Sequence, residues 1–446
     1  MFVFVLLALI AIYTICFFYP SFATGVFYPS IPIIYWGITI YYLIRYRRKS
    51  LFCFELFFAI SFYLCSFLTL FLLPIMDAYE SRAFIVDDVL ILKAYALSII
   101  GYICYILGLV VWGKNAAPDK VFSIHSDVTN KNMNTFANIL CTINILLLFM
   151  NGGTRMFTMY SDTNLYASDR LSGFAVFLSF AIITYIVSIV TNFSLITSSS
   201  HIGAFSILKK ISFLFIVNSI LLIGTFLASG YRSNAIQIII PLLLAYQIKI
   251  RHIKPLSVLL MLFGGAFLMF FIGVTRSGAA FDTGNYNMLT YLRDFKPANA
   301  ATIFLIDYVN TSGPTGGSNM LFPLLSIIPG LQFFTSAFID ISKLYPVSSA
   351  YFTLAFSSDS GFGTSIIGDL YYTFGFGGVV VLMFLLGSFL YRLSRFKNNY
   401  ELAMFLVFSG NAMFAPRVEY CYILRSIAWS VIFLYLVQFL SKTLKR

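Results

Sequence analysis

The chain has 446 residues, of which 60% are hydrophobic and only 10% are charged, with a net charge of +12 and a mean hydropathy of +0.89. Soluble domains carry about a quarter charged residues, so this composition excludes a soluble globular protein and predicts an all-α polytopic integral membrane protein. A β-barrel is excluded as well, because barrel strands alternate in hydropathy whereas the apolar runs here are continuous.

Twelve apolar stretches predict about 12 transmembrane helices, since a helix needs about 20 apolar residues to cross a bilayer. The stretches lie near residues 1–19, 26–44, 51–73, 89–112, 134–150, 173–197, 211–228, 234–248, 256–274, 369–390, 401–415 and 424–440. The first has no basic segment before it and no small-residue cleavage site. We therefore expect a retained helix rather than a signal peptide.

Basic residues mark every second connection between these stretches. With the N-terminus inside, the cytoplasmic groups are Arg45, Arg47, Arg48 and Lys49; Lys114, Lys120 and Lys131; Lys209 and Lys210; Lys249, Arg251 and Lys254; Arg392, Arg395 and Lys397; and Lys442, Lys445 and Arg446. This positive-inside pattern predicts that both termini are cytoplasmic. It also explains most of the positive charge, so no nucleic-acid partner is expected.

The longest interruption, residues 275–363, is predicted to be a large loop on the outer side, between spans 9 and 10. It divides the chain into a nine-span region (1–274), the loop, and a C-terminal three-span region (364–446). Within the loop, the apolar stretch 320–340 is broken by Pro323 and Pro329. We expect this stretch to be re-entrant or to lie along the membrane surface rather than to span it.

Several cations on the predicted outer side are not explained by insertion rules. They are Arg232, in a tight Gly-Tyr-Arg-Ser turn, Arg276, Arg293, Lys296 and Arg417. Guanidinium groups bind phosphate oxygens in pairs and stay charged, so together these residues are candidates for binding a diphosphate. The alternative for each is a side chain that reaches toward water or pairs with a nearby aspartate.

A glycine-rich string at residues 361–378 leads into span 10 and contains Asp369, with Tyr371 and Tyr372 beside it. A carboxylate at the outer membrane edge is a candidate general base toward a sugar hydroxyl, and the tyrosines are candidates for substrate binding. The alternative is that Asp369 complements the dipole at the start of a helix. Asp294 is a second candidate base, or else a structural partner of its neighbouring cations.

Other kinds of site find no support in the sequence. There is no D-x-D, Walker A or G-x-G-x-x-G motif, and the six cysteines form neither a disulfide pattern nor a metal motif. No cofactor and no metal are therefore expected. The three histidines, His125, His201 and His252, fall in predicted cytoplasmic loops, which excludes a catalytic histidine on the outer side.

The layout and two motifs resemble the O-antigen polymerase (Wzy-type) family of bacterial polysaccharide polymerases. The likeness rests on the twelve spans, the Gly-Tyr-Arg-Ser turn before span 8, the long outer loop before span 10, and the string Gly-Thr-Ser-Ile-Ile-Gly-Asp-Leu-Tyr-Tyr-Thr-Phe-Gly. It implies a membrane-embedded, GT-C-like glycosyltransferase of the bacterial inner membrane. Its large loop would then be periplasmic.

The resemblance also implies a reaction and its partners. A growing glycan would be transferred from undecaprenyl diphosphate to the non-reducing end of a new lipid-linked repeat unit, forming O-antigen or a related polysaccharide. Asp369 would accept the proton of the attacking hydroxyl, and Arg232, Arg276 and Arg293 would stabilise the leaving diphosphate. Membrane lipid surrounds such a protein, and a chain-length regulator is an expected partner.

Two other functions remain open. A lipid-linked oligosaccharide flippase has a similar number of spans, although it has no need of the long outer loop. An O-antigen ligase shares the architecture but is expected to use an outer histidine. An ion-coupled transporter needs acids within its spans, where only Glu55 is a candidate, near a cytoplasmic end.

Overall fold

The protein is a bundle of helices, seen in a computed structural model that describes residues 1–20, 27–47, 51–68, 88–112, 131–152, 174–196, 210–229, 231–250, 253–276, 296–325, 327, 331, 346–355 and 363–443. All regular secondary structure in these ranges is helical. The α-helices are α1 Phe2–Phe18, α2 Phe27–Tyr46, α3 Phe54–Ser66, α4 Asp88–Val111, α5 Lys131–Met150, α6 Phe174–Ser194, α7 Phe213–Ala228, α8 Arg232–Lys249, α9 Pro255–Arg276, α10 Lys296–Ser312, α11 Ser318–Leu325, α12 Ser348–Ala355, α13 Ile366–Leu393, α14 Asn399–Gly410 and α15 Tyr422–Thr443. A short 3-10 helix, Ala415–Arg417, precedes α15.

Each of the twelve apolar stretches coincides with a helix. Among the described residues, five helices are long and apolar enough to cross a membrane, namely α4, α5, α6, α13 and α15. Helices α1, α3, α7 and the Pro255–Gly265 part of α9 are apolar but shorter in the described ranges. Within the described residues, the predicted all-α architecture is therefore confirmed, with five helices that are able to cross a membrane.

Helices α4 and α13 pack at the centre of the bundle, and glycines let them approach closely. A Cβ atom added to Gly387 would clash with the carbonyl oxygen of Tyr105, and one added to Gly108 would lie 2.9 Å from the backbone nitrogen of Ser388. Small residues at such a crossing allow backbones to touch, which favours helix association where lipid removes the hydrophobic driving force.

Helices α5 and α6 are joined by a closed ring of three buried asparagines. Asn138 Nδ2 donates to Asn134 Oδ1, Asn134 Nδ2 to Asn192 Oδ1, and Asn192 Nδ2 to Asn138 Oδ1, each at 3.1 Å. Asn218 of α7 joins the ring by donating to the Asn138 carbonyl at 3.1 Å. Because Asn134 begins α5 and Asn192 ends α6, the ring fixes these two helices antiparallel.

Among the described residues between α9 and α13 there are three helices, none of which belongs to a predicted span. One of them, α10, packs along the first half of α13 and runs in the same direction. Thr302 of α10 lies against Gly368, and Thr315, just beyond α10, donates its N–H to the Tyr372 carbonyl at 2.9 Å. Of the predicted re-entrant stretch 320–340, the structure describes the end of α11 and little more.

Glu55, the acid considered for ion coupling, is 5% exposed and paired. Its Oε1 lies 2.5 Å from Arg47 Nη2 and 3.2 Å from Arg47 Nε, and the Tyr42 hydroxyl lies at 3.4 Å. Glu55 is therefore buried near the end of its helix, and one of its oxygens accepts hydrogen bonds from two nitrogens of the Arg47 guanidinium group.

Candidate active site

The first turn of α13 is fixed by the residue that precedes it. Ser365 has an extended backbone, with φ −120° and ψ 145°, and its hydroxyl accepts a 2.8 Å hydrogen bond from the N–H of Gly368. Serine is a favoured cap because its oxygen satisfies an N–H that has no partner within the helix. The same hydroxyl contacts Thr302 Oγ1 of α10. The cap therefore places Asp369 in the first turn of α13 and next to α10.

The Asp369 carboxylate is buried, with 1% exposure, and is held from two other segments. The hydroxyl of Ser348, at the start of α12, donates to Oδ1 at 2.7 Å. The N–H of Tyr420, just before α15, donates to Oδ2 at 2.9 Å. A buried carboxylate is costly without such donors. The predicted base therefore lies where three separate segments of the chain meet.

The meeting point of Asp369, Ser348 and Tyr420 is called the Asp369 junction below. A second carboxylate, that of Glu419, lies at this junction. The hydroxyl of Ser349 donates to its Oε1. Because Ser348 and Ser349 are consecutive, as are Glu419 and Tyr420, the two carboxylates lie close to each other. Glu419 is half-buried, whereas Asp369 is fully enclosed. Sequence reasoning did not single out Glu419, Ser348 or Ser349, and no local motif marks them.

Cys421 follows this junction and is buried. Burial, together with the negative charges of Asp369 and Glu419, raises the pKa of its thiol to about 12. The sulfur lies 3.7 Å from the Met320 sulfur of α11. Since the thiolate is the reactive form of cysteine, this protonated thiol packs against its neighbours rather than acting as a nucleophile.

The helix α13 is broken one and a half turns after Asp369. Gly375 has φ 67° and ψ −159°, a conformation that is accessible to glycine and strained for other residues. The break frees the carbonyls of Tyr372 and Thr373, which accept 2.9 Å hydrogen bonds from the N–H groups of Thr315 and Gly316. The loop after α10 therefore caps the first part of α13 and completes the wall next to Asp369.

A series of side-chain hydrogen bonds also holds the loop after α10 and the start of α11 against α13. Asn319 Nδ2 of α11 donates to Thr373 Oγ1 at 2.9 Å, and Thr373 Oγ1 donates to the Asp369 carbonyl at 2.6 Å. The hydroxyl of Thr315 donates to Asn319 Oδ1 at 2.5 Å. Three buried or partly buried polar side chains thus satisfy one another beside the carboxylate, as buried polar groups require.

The two tyrosines predicted to bind substrate point to different sides of α13, because successive helical residues are rotated by about 100°. The ring of Tyr371 packs against Phe17 of α1, with 5.9 Å between centroids, and is 7% exposed. Tyr372 lies on the same side as Asp369, is fully buried, and donates its hydroxyl to the Pro346 carbonyl at 3.3 Å.

Arg417 is a predicted diphosphate-binding residue whose side chain is described. It ends the short 3-10 helix and is half-buried. Its carbonyl accepts a 3.4 Å hydrogen bond from the N–H of Thr364, the residue before the Ser365 cap. The segment of Arg417 therefore lies beside the start of α13, close to the Asp369 junction.

The other predicted cations and the second predicted base have no described side chain. Arg232 is the first residue of α8, Arg276 the last of α9, and Lys296 the first of α10. Arg293 and Asp294 lie outside the described residues. The roles assigned to these five residues stay predictions. Within the described ranges, no group of three or more His, Cys, Asp or Glu side chains is arranged to hold a metal ion.

A comparison with protein families covers the whole chain. The model of the family O-antigen polysaccharide polymerase Wzy matches residues 1–446. The chain belongs to this family. Neither a curated protein nor a solved structure matches it.

Membership of the Wzy family confirms the resemblance drawn from the sequence. The protein is a membrane enzyme of glycosyltransferase type in the polymerisation of O-antigen polysaccharide. Proteins of this family reside in the inner membrane and act on lipid-linked oligosaccharide repeats.

Proposed function

We propose that the protein extends O-antigen or a related surface polysaccharide at the periplasmic face of the inner membrane. The growing glycan is transferred from undecaprenyl diphosphate to the non-reducing end of a new lipid-linked repeat unit. The observation that carries this proposal is the buried Asp369 carboxylate, held by Ser348 and the Tyr420 N–H at the start of α13.

The chemistry requires a proton acceptor and a stabilised leaving group. The acceptor hydroxyl oxygen bonds to the anomeric carbon, the bond from that carbon to the diphosphate oxygen breaks, and its electron pair leaves with the diphosphate. Asp369 takes the hydroxyl proton, with Asp294 as the second candidate. Arg232, Arg276, Arg293, Lys296 and Arg417 neutralise the diphosphate.

The leaving group also supplies the driving force. Cleavage of a diphosphate linkage releases enough free energy to form the new glycosidic bond, so the reaction needs no nucleotide. This agrees with the lack of nucleotide-binding motifs in the sequence. No metal or other cofactor enters the proposed step.

A twelve-span topology with both termini in the cytoplasm fits the packing of the described helices. The asparagine ring joins the start of α5 to the end of α6, as expected for consecutive antiparallel spans. In that topology the ring and the Arg47–Glu55 pair lie toward the cytoplasm, whereas the Asp369 junction lies at the periplasmic end. The buried pairing of Glu55 gives no support to ion-coupled transport.

The test is the glycan profile of a strain deleted for the gene. Surface lipopolysaccharide that carries a single repeat unit, with longer chains restored by the wild-type gene, is the expected result. Long chains stranded on the lipid carrier would instead indicate a ligase, and repeat units confined to the cytoplasmic side would indicate a flippase. Co-purification of a chain-length regulator with the tagged enzyme would test the expected partner.

A further inference from the structure

Three tyrosine rings from three different helices meet next to the Asp369 junction. The ring of Tyr308 of α10 lies 4.8 Å from that of Tyr351 of α12, edge to face at 62°. It lies 5.4 Å from the ring of Tyr372 of α13, and the rings of Tyr351 and Tyr372 stack at 5.8 Å and 18°. We call these three residues the tyrosine cluster.

Two members of the tyrosine cluster lie on the same sides of α12 and α13 as the residues of the Asp369 junction. Tyr372 follows Asp369 by three residues on α13, and Tyr351 follows Ser348 by three residues on α12. Residues three apart lie on one side of a helix. Since Ser348 donates to Asp369, both tyrosines lie near the carboxylate. Tyr372 is fully buried, and it supports the half-buried rings of Tyr308 and Tyr351.

The exposed surface around Tyr308 is polar. Thr311 and Ser312, three and four residues after Tyr308 and therefore on the same side of α10 as its ring, are exposed. Helix α10 packs along the first half of α13, a helix apolar enough to span the membrane. At that depth polar side chains belong next to water or a polar ligand rather than lipid. The surface of the cluster therefore fits a polar ligand that has an apolar side.

A pyranose ring has that chemistry, because its C–H bonds present an apolar side to an aromatic ring while its hydroxyls reach polar groups. Binding sites for small ligands commonly combine aromatic walls with a few polar groups that set orientation. Here the rings would contact the sugar, and Thr311 and Ser312 would supply exposed hydroxyl groups beside it.

We infer that Tyr308 and Tyr351 form the subsite for the acceptor sugar, stacking on its ring so that its hydroxyl meets the carboxylate junction. This inference rests on the proposed function and names a sugar-binding site within it. Tyr371, which packs on α1 away from the cluster, takes no part. Tyr372 is a positioning residue that holds the other two rings.

The test is polymerisation by purified protein in proteoliposomes, with lipid-linked repeat units isolated from the deletion strain as substrate. Tyr308→Leu and Tyr351→Leu keep apolar volume but remove the ring. Each is expected to raise KM about two- to tenfold, through the loss of an aromatic contact with the sugar. Tyr308→Phe and Tyr351→Phe are expected to retain the wild-type KM, since stacking needs the ring and not the hydroxyl.

A matched control is Tyr435→Leu on α15, whose ring is 63% exposed and distant in sequence from the cluster. Free repeat-unit oligosaccharide, released from its lipid, gives a second readout. It should inhibit the wild-type enzyme, and it should inhibit the Leu variants about two- to tenfold more weakly. Unchanged KM and inhibition in both Leu variants would overturn the subsite, as would Phe variants as impaired as the Leu variants. If the wild-type protein itself formed no polymer, the proposed function would fail instead.

Discussion

The hydroxyl of Ser348 donates a 2.7 Å hydrogen bond to Asp369 Oδ1, and this bond joins α12 to the first turn of α13. Both residues are buried, so water does not replace the bond when it is removed. Losing a donor to a buried charged group costs about 1.5–3 kcal/mol. We therefore expect Ser348→Ala to slow polymerisation at least about tenfold and Asp369→Asn to abolish chain extension.

Both variants are measured as glycan ladders in the deletion strain and as polymerisation rates in proteoliposomes. Ser394→Ala is a suitable control, because Ser394 caps the opposite end of α13 and bonds within its own helix to the Tyr391 carbonyl. If Asp369→Asn protein, inserted at the normal level, produced wild-type chain lengths, Asp369 would not be the catalytic base.

The crossing of α4 and α13 is expected to be intolerant of any larger residue at Gly387. A side chain there would meet the Tyr105 carbonyl, which belongs to the rigid backbone of α4. Gly387→Leu should therefore separate the two central helices and yield little monodisperse protein in detergent. Gly224→Leu on α7, where a Cβ meets nothing within 4 Å, is the control and should behave as wild type. Equal yields from both variants would contradict the proposed tight crossing.

The helices were largely predictable from the sequence because each needs a long apolar run, and only its ends depend on other residues. The stretch 369–390, for example, corresponds to Ile366–Leu393, which the Ser365 cap extends by three residues. Helices α10 and α12 were missed, since α12 is short and α10 carries polar residues along its exposed side, whereas α11 overlaps the start of the predicted re-entrant or interfacial stretch 320–340. Hydropathy has no signal for elements such as α10 and α12.

The candidate site was predictable only in part. Asp369 stands out because a carboxylate at the start of an apolar helix is rare, whereas its donors come from residues 348 and 420, far away in sequence. No local pattern pairs those positions. That Tyr371 and Tyr372 point to different sides of α13, by contrast, follows from helix geometry alone and was available from the sequence.

The asparagine ring of α5 and α6 is expected to stabilise the bundle. Replacing Asn192 by leucine removes one member and leaves the amide groups of Asn134 and Asn138 incompletely paired in an apolar region. Interhelical bonds of this kind contribute about 1–2 kcal/mol, so Asn192→Leu should lower the melting temperature measured in detergent. Asn151→Leu is the control, because Asn151 is exposed and its side chain donates to the Leu147 carbonyl within its own helix end. Equal melting temperatures would show that the ring contributes nothing.

Gly375 is expected to be required for the docked position of the loop that follows α10. Its φ of 67° disfavours any residue with a Cβ, so Gly375→Ala should favour a continuous helix in which Phe376 competes with Thr315 for the Tyr372 carbonyl. We expect reduced polymerisation and faster labelling of a cysteine introduced at position 315. Gly377→Ala, two residues away and in open space, is the control. Unchanged labelling in Gly375→Ala would mean that the break does not hold the loop.

Glu419 is expected to affect the rate of the step at Asp369 without binding the substrate. A negative charge beside a carboxylate makes that carboxylate a better proton acceptor, and Glu419 is linked to the Asp369 junction through the Ser348–Ser349 pair. Glu419→Gln keeps an oxygen for the Ser349 hydroxyl but removes the charge. It should therefore lower kcat and leave KM unchanged.

The control for Glu419→Gln is Glu401→Gln on α14. Glu401 accepts a 2.6 Å hydrogen bond from the Lys397 N–H, and glutamine can still accept it. This variant should match wild-type kcat, because Glu401 lies at the other end of α14 from the junction. If both variants kept wild-type kcat, the Glu419 charge would have no influence on the step at Asp369. A loss in Glu419→Gln that appears in KM alone would assign Glu419 to substrate binding instead.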